Sequence, residues 1–396
     1  MTAHSSYNTR RKTLHSLSAM TIKKTPGQPL LPILAPALFT LALMIALVLS
    51  VLNASGGDPM ALVIQGTRFT QHDANGSWGY DGQFFYAIAR YPDPKAAAAF
   101  LDLPAYRYQR VLYPILARAL ALGRPELIPW SLVGLNVASQ VAGTLLVAIL
   151  LAGWGANPWL ALVYGFWPGF AAAARGDLAE PLVFALVAGA VLAGVRNRPL
   201  LSWIMFGLAL FTKEAASLFI LAAAIDLVCR RRWRQLVGLS LVAGVPYLLF
   251  QGWLWLTFGQ VGLGSGGALS TSFEWIPYMG LWRVWTVPVA WTYQALITAL
   301  FVITAVVPSA WGLWHSGRSL VRKRSSPSRW ALLINAAVIL PLPFSTFSEV
   351  WGMLRFLCGL LLAILLYAGQ EGLLPQRAFR LPVLRRPSRP VGGQGI

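Results

Sequence analysis

Ten apolar runs separated by shorter polar segments dominate the chain from residue 30 onward. They cover residues 30–52, 127–151, 157–174, 178–195, 200–211, 215–229, 235–256, 286–314, 330–345 and 354–369. A helix of about 20 mostly apolar residues crosses a bilayer core of about 30 Å. The pattern therefore predicts an all-α polytopic membrane protein with a bundle of about ten transmembrane helices.

The fifth and sixth runs leave two alternatives open. Residues 199–229 form either one long tilted helix or two short helices that turn at 212–214. Arg196 and Arg198 precede this stretch and the arginines at 230–232 follow it, and these basic clusters favour the pair of short helices. A single span there would invert the orientation of everything downstream.

The runs divide the chain into three parts. Residues 1–29 are expected to form a polar cytoplasmic tail, residues 30–369 the transmembrane domain, and residues 370–396 a basic cytoplasmic tail. The first run is longer than the apolar region of a usual signal peptide, so it is interpreted as a retained membrane anchor.

Two of the predicted outer loops are long, at 53–126 and 257–285. Long loops in compact proteins are usually functional or disordered, and the aromatic content of the first loop argues against disorder. Its amphipathic stretches 82–90 and 107–122 are expected to be juxtamembrane helices that lie along the bilayer surface.

The composition excludes the soluble and disordered classes, because 57% of the 396 residues are hydrophobic and only 11% are charged. Cys229 and Cys358 are far apart and the four histidines are scattered, so neither a disulfide framework nor a metal site is predicted.

What the net charge of +19 indicates about binding partners depends on where the basic residues lie. With both termini in the cytoplasm, the predicted inner segments hold 21 basic and two acidic residues, and the outer ones 11 of each. All of the excess charge therefore lies on one side, as the positive-inside rule expects. It indicates a multi-pass protein of the cytoplasmic membrane in contact with anionic membrane lipids, and no nucleic-acid partner.

Asp81 is the first candidate among the outer acids, which are functional candidates because a carboxylate near the bilayer is costly. It lies between Gly79-Tyr80 and Gly82-Gln83, at the start of an amphipathic stretch. One interpretation is a helix N-cap. The other is a carboxylate that accepts a proton from a substrate, beside aromatic rings that stack on sugars.

Two further pairs of charged residues each have two interpretations. Arg107 and Arg110 share a helix face, so they either extend to lipid phosphates or grip a substrate phosphate. Asp177 and Glu180 open an apolar run, so they either cap a helix or line an outer-facing site.

The last candidates lie at later helix ends. Lys213 and Glu214 either pair with each other or leave Lys213 for a phosphate. Arg355 begins the last run, where its charge opposes the helix dipole, so it needs either a bound anion or Glu349 as a partner.

In their order and spacing, these segments resemble the GT-C superfamily of membrane glycosyltransferases. The resemblance covers about residues 30–370 and rests on Tyr80–Phe84, Arg107–Pro114, Gly176–Pro181, Leu210–Glu214 and Arg355. It departs from the family in two ways. Asp81 is followed by glycine rather than by a second acid, and no large soluble C-terminal domain follows, which disfavours protein N-glycosylation.

The resemblance implies a GT-C-like bundle of transmembrane helices. It implies transfer of a sugar, with inversion, from a polyprenyl-phosphate donor to a glycan, lipid or protein acceptor on the extracytoplasmic face of the cell membrane. It implies Asp81 as the catalytic base, with Asp73 as second choice. No cofactor or metal is expected, since cations can hold the donor phosphate. The expected substrate-binding residues are Arg107, Arg110, Asp177, Glu180, Lys213, Glu214, Glu349, Arg355, Tyr80 and Gln83.

Two other functions fit the same sequence. A transporter or flippase of a lipid-linked or polar solute would place polar groups at the middle of the membrane. A non-catalytic partner of an envelope complex would tolerate replacement of its outer acids.

Overall fold

The computed structural model describes residues 30–322 and 325–376 of the chain. The predicted tail 1–29 and most of the predicted tail 370–396 lie outside the described residues. Within the described ranges the chain is helical and contains no β-strand, which confirms the all-α prediction.

The α-helices follow one another with mostly short connections, and the longest one joins Phe258 to Met279. In chain order they are α1 Leu31–Ala54, α2 Met60–Val63, α3 Thr67–Thr70, α4 Gly82–Arg90, α5 Pro94–Ala98, α6 Pro104–Tyr108, α7 Leu112–Leu120, α8 Ile128–Gly153, α9 Leu162–Gly165, α10 Pro168–Arg175, α11 Glu180–Val195, α12 Pro199–Thr212, α13 Ser217–Cys229, α14 Trp233–Leu239, α15 Val245–Phe258, α16 Met279–Trp282, α17 Trp291–Phe301, α18 Val307–Val321, α19 Pro327–Ala337, α20 Phe344–Ser348, α21 Val350–Phe356 and α22 Cys358–Gln370. Turns of 3-10 helix lie at Pro125–Leu127, Pro158–Ala161, Glu214–Ala216 and Arg283–Thr286, and π-helical turns at Ser240–Gly244 and Val302–Val306.

Five helical segments of the described residues are long and apolar enough to cross a membrane. They are Leu31–Ala54, Pro125–Gly153, Trp233–Phe258, Trp291–Val321 and Val350–Gln370. Each coincides with one of the predicted apolar runs. Their number and composition support a multi-pass membrane protein.

The prediction of about ten spans is not confirmed. The helices of four further runs are shorter, with 16 residues in α11, 14 in α12, 13 in α13 and 11 in α19. At about 1.5 Å per residue, even α11 reaches only about 24 Å, less than the bilayer core.

The run 157–174 is not one helix. It contains the turn Pro158–Ala161, then α9 and α10. Pro158 and Pro168 each open a helical piece, because proline has no N–H to continue a preceding helix. The sequence pattern showed the apolar run but not these breaks.

Residues 199–229 form two helices rather than one. The backbone of Lys213 is extended, with φ −165° and ψ 139°, and it separates α12 from α13. The alternative of two short helices therefore describes this stretch.

The main core lies between the long helices, and a second core joins the first outer loop to it. Val147 of α8 and Val187 of α11 are fully buried in the main core. In the second core, Phe85 and Tyr113 of the loop pack with Leu132 of α8. The loop is thereby fixed on the helix bundle.

The first outer loop is built from helices, as its amphipathic stretches predicted. Residues 82–90 form α4, whereas 107–122 is divided between α6 and α7. The segment before α4 closes on itself, because the Tyr80 N–H donates to the Ile64 carbonyl at 2.8 Å. Gly66 and Gly79 touch there, since a Cβ on Gly79 would lie 2.4 Å from the Gly66 nitrogen.

The start of α4 touches the connection between α10 and α11. A Cβ built on Gly82 would lie 2.2 Å from the carbonyl oxygen of Gly176. Only glycine permits this approach, because the neighbouring atom belongs to backbone and cannot move aside. The contact fixes Asp81, the residue before Gly82, against the segment that carries Glu180.

We expect Gly82→Ala to displace the start of α4 and to lower the free energy of unfolding by about 1–3 kcal/mol, the usual cost of overpacking. Thermal unfolding of the purified protein in detergent measures this loss. Gly252→Ala in α15 is the matched control, since its Cβ would meet no atom within 4 Å. Equal stability of both variants would contradict the close contact.

Candidate active site

Carboxylates and cations from distant parts of the chain meet at one place, which we call the charged cluster. The ion pairs Asp81–Arg107, Asp102–Arg107, Arg110–Glu214, Glu180–Lys213, Asp81–Arg355 and Glu180–Arg355 form it. The first loop, the start of α11, the turn after α12 and the end of α21 each contribute.

Asp81 lies at the mouth of the charged cluster. Its side chain is 33% exposed, against 8% for Arg107 and 10% for Arg355. Its oxygens lie 3.0 Å from Arg107 Nη1 and 3.9 Å from Arg355 Nη1. Although Asp81 occupies the N-cap position of α4, its side chain makes no capping hydrogen bond. The carboxylate faces the arginines instead.

The ionisation of Asp81 is controlled by its neighbours. Burial by itself raises the pKa of a carboxyl, but the charge of Arg107, followed by Arg355, Arg110 and Lys213, lowers the pKa of Asp81 to about 2. The group is therefore a carboxylate at neutral pH and can accept a hydrogen bond or a proton.

Arg107 is held in place by Asp102, a residue that the sequence did not single out. Its Nε and Nη2 donate to Asp102 at 2.7 and 2.8 Å, which leaves Nη1 for Asp81. Asp102 also accepts from the Ala268 N–H at 3.2 Å, so the second long loop reaches the cluster. The only sequence signal was that Asp102 belongs to the outer acids.

Arg110 binds a carboxylate of the protein. Its Nε donates to Glu214 at 2.8 Å, and its Nη2 donates to Tyr106 Oη at 2.6 Å. Neither interpretation of Arg110 from the sequence, lipid contact or substrate phosphate, included this partner. The pair joins the first loop to the turn between α12 and α13.

Lys213 and Glu214 do not pair with each other in the structure. The extended backbone at Lys213 sends its ammonium to Glu180, at 2.6 Å, while Glu214 binds Arg110. Glu180 is therefore directed into the charged cluster, as one of its two interpretations required.

Arg355 has the loosest contacts of the four cations. Its Nη1 lies 3.5 Å from Glu180 and 3.9 Å from Asp81, and its buried Nε has no hydrogen-bond partner among the described residues. The backbone around it is fixed, because Trp167 Nε1 donates to the Leu354 carbonyl at 2.8 Å. Arg355 thus has donors to offer to an anion.

Glu349 takes a different partner from the one that the sequence suggested. It accepts a hydrogen bond from the Tyr80 hydroxyl at 2.5 Å, and the Arg355 guanidinium lies 5.0 Å from the centre of the Tyr80 ring. Burial raises the pKa of the Tyr80 hydroxyl, so it stays protonated and acts as the donor. Tyr80 therefore separates Glu349 from Arg355.

Gln83 and Asp177 lie apart from the ion pairs. The amide of Gln83 accepts from the Gly66 N–H at 3.0 Å and donates to the Trp78 carbonyl at 2.7 Å, so it closes the loop before α4. The side chain of Asp177 is fully buried, and neither oxygen has a hydrogen-bond partner among the described residues. Of the two acids that were expected to line the site, Asp177 and Glu180, only Glu180 faces the charged cluster.

Asp73, the second choice for the base, lies in an exposed turn. Its carboxylate accepts from the Asn75 N–H at 2.9 Å, which is a local turn contact. Over residues 30–322 and 325–376, no three His, Cys, Asp or Glu side chains are arranged to hold a metal ion. The described cluster offers a partly exposed carboxylate beside cations, which suits proton acceptance next to an anion.

Asp177→Asn is expected to stabilise the protein increasingly as the pH rises. Burial raises the pKa of Asp177 far above its ordinary 3.8, so folding takes up a proton above that pH and stability falls by up to about 1.4 kcal/mol per pH unit. Asparagine removes this dependence and tolerates the left-handed backbone, φ 49°.

The measurement is thermal unfolding in detergent at several pH values between about 5 and 8. Asp177→Ala is the control, because it also removes the carboxyl but meets a penalty of about 1–2 kcal/mol in that backbone conformation. A constant difference between wild type and Asp177→Asn would show that Asp177 is ionised in the fold.

Comparison with known proteins assigns no family to the chain. No family model, curated protein or solved structure matches it. The resemblance to the GT-C superfamily therefore rests on the residues alone, and the function has to be argued from the geometry of the charged cluster.

Proposed function

We propose that the protein is a membrane glycosyltransferase that moves a sugar from a polyprenyl-phosphate donor to an acceptor on the extracytoplasmic face. The observation that carries the proposal is the position of Asp81, a partly exposed carboxylate in front of buried Arg107 and Arg355. This arrangement provides a proton acceptor and an anion-binding group within one site.

The proposed reaction is a single displacement with inversion. The acceptor hydroxyl attacks the anomeric carbon of the donor sugar, and its proton passes to Asp81. The bond from that carbon to the phosphate oxygen breaks, and its electron pair leaves with the lipid phosphate. A leaving phosphate already carries charge, so it needs electrostatic stabilisation rather than a proton.

Arg355 is the cation that we assign to the donor phosphate. Arg107 and Arg110 each donate two hydrogen bonds to a carboxylate, whereas Arg355 has only long contacts to carboxylates and a buried Nε with no partner in the described part of the chain. A phosphate can displace these long contacts at small cost. As it draws Arg355 from Asp81, the pKa of Asp81 rises and the carboxylate becomes a stronger base.

The lipid tail of the donor is assigned to an apolar groove between α1 and α8. The groove has a volume of about 750 Å³ and is lined by five residues of α1 between Leu41 and Leu52 and eight residues of α8 between Trp130 and Leu145, none of which is polar. These are the halves of the two helices that adjoin the first outer loop. A tail there would end below the loop that carries Asp81.

The remaining parts of the proposal follow from the resemblance and the charge distribution. They are a GT-C-like bundle, a location in the cytoplasmic membrane with both termini inside, and a glycan, lipid or protein as acceptor. The excess of basic residues in the predicted inner segments supports the orientation. Since Arg355 serves the phosphate, the proposal needs no cofactor.

A transporter is supported less well. Polar side chains do lie within a long apolar helix, at Asn136, Gln140 and Thr144 of α8, and all three are fully buried. Their donors are used inside the protein: Asn136 donates to Tyr113, Gln140 to the Tyr164 carbonyl and Thr144 to the Gln140 carbonyl. Because their side chains are fully buried, they line no open path.

Asp81→Asn is expected to reduce sugar transfer at least about 100-fold, the lower end of what a general base contributes. Membrane insertion and the fold should persist with some loss of stability, because Arg107 keeps Asp102 as a partner. The assay follows a labelled sugar from polyprenyl-phosphate sugars into a membrane extract with purified protein. Asp73→Asn is the matched control and should keep full activity. Equal activity of both variants would exclude Asp81 as base, and tolerance of all outer acids would favour an assembly partner.

A further inference from the structure

A second cavity lies in the first outer loop, on the far side of α4 from the charged cluster. Its volume is about 290 Å³, and it is lined by residues of α3, α4 and the segments that follow α4. It lies outside the five long apolar segments. None of the residues that line it takes part in an ion pair of the charged cluster. Gln83 is the lining residue nearest in sequence to Asp81.

The position of the cavity follows from the geometry of α4. Gln83, Tyr86, Ala87 and Arg90 line it, and their spacing of three and four residues places them on one helix face. At about 100° per residue, Asp81 points to the opposite side. The backbone of α4 therefore lies between the cavity and the proposed base.

Aromatic rings form the apolar part of the lining. Tyr91 and Phe100 are stacked, with centroids 4.7 Å apart and planes at 3°. Phe69 packs edge-on against Phe84 at 5.0 Å. The rings support one another, so the cavity has its shape before any ligand binds.

Polar side chains line the cavity beside these rings. Gln65 and Arg90 are exposed at the cavity, and Arg90 Nη1 donates to the Tyr86 hydroxyl at 3.1 Å. The Tyr86 hydroxyl keeps its own proton to donate, and Gln65 offers both an acceptor and a donor. Ring faces are electron-rich and attract the C–H face of a pyranose, whereas amide, hydroxyl and guanidinium groups bind its hydroxyls.

We infer that this cavity binds one sugar ring of a carbohydrate acceptor, further along the glycan than the ring that reacts at Asp81. The inference rests on the proposed sugar transfer and deepens it, because it selects a glycan among the possible acceptors. A lipid tail would not suit a cavity lined by Gln65, Tyr86 and Arg90 outside the apolar segments.

The test measures binding of free maltotetraose, cellotetraose and chitotetraose to the purified full-length protein by saturation-transfer NMR, with tetra-alanine as the non-sugar reference. At least one tetrasaccharide should bind, and tetra-alanine should not. Arg90→Ala and Gln65→Ala should each weaken that binding about tenfold, the effect of one lost hydrogen bond to a charged or polar group. Both side chains are exposed, so neither change should impair folding.

Arg124→Ala, at another exposed arginine of the same loop, is the matched control and should bind like wild type. Asp81→Asn should also keep tetrasaccharide binding, because α4 lies between the two sites. Absence of binding by all three sugars, equal binding of tetra-alanine, or equal effects of Arg90→Ala and Arg124→Ala would overturn the inference. If the tetrasaccharides failed to bind while Asp81→Asn still lost sugar transfer, the inference would fail and the proposed transferase function would not. The two failures are therefore distinguishable.

Discussion

The mutual neutralisation of buried charges is the constraint on which the docking of the first long loop, residues 53–126, depends. Arg107 and Glu180 are almost completely buried, and an isolated charge there would cost several kcal/mol. Each is paired instead, Arg107 with Asp81 and Asp102, and Glu180 with Lys213. Arg110 of the first loop is buried as well, and its partner Glu214 lies in the turn after α12, so the loop can neutralise this charge only by docking on the helix ends.

That requirement links the fold to the proposed chemistry. The segments that bury the charges also bring a reachable carboxylate, Asp81, next to Arg355, whose contacts are the longest in the charged cluster. If every donor in the cluster had a close partner, none would be left to bind a substrate. If many buried charges had no partner, the cluster would be too costly to bury. One loosely held arginine is a compromise that suits anion binding.

The sequence predicted the composition of this site better than its pairing. That Asp81, Glu180 and Arg355 belong to one site was predicted from their places beside apolar runs, and the structure brings the three together. The partner of Lys213 did not, because it depends on an extended backbone at one residue, which separates it from Glu214. Asp177 lies three residues before Glu180, a spacing that predicted one shared face. Its backbone is left-handed, however, and its side chain is buried in the interior. Helix breaks at prolines likewise changed the expected spans, since apolar runs do not show where helices end.

The most direct test of the central claim is a double-mutant cycle on Arg110 and Glu214, which joins the first loop to the turn after α12. The free energies of unfolding of wild type, Arg110→Met, Glu214→Gln and the double variant are measured in detergent. The account predicts a coupling energy above about 0.5 kcal/mol, as for residues in direct contact. Effects that add to within about 0.3 kcal/mol would mean that the loop does not dock through this pair, and would contradict the account.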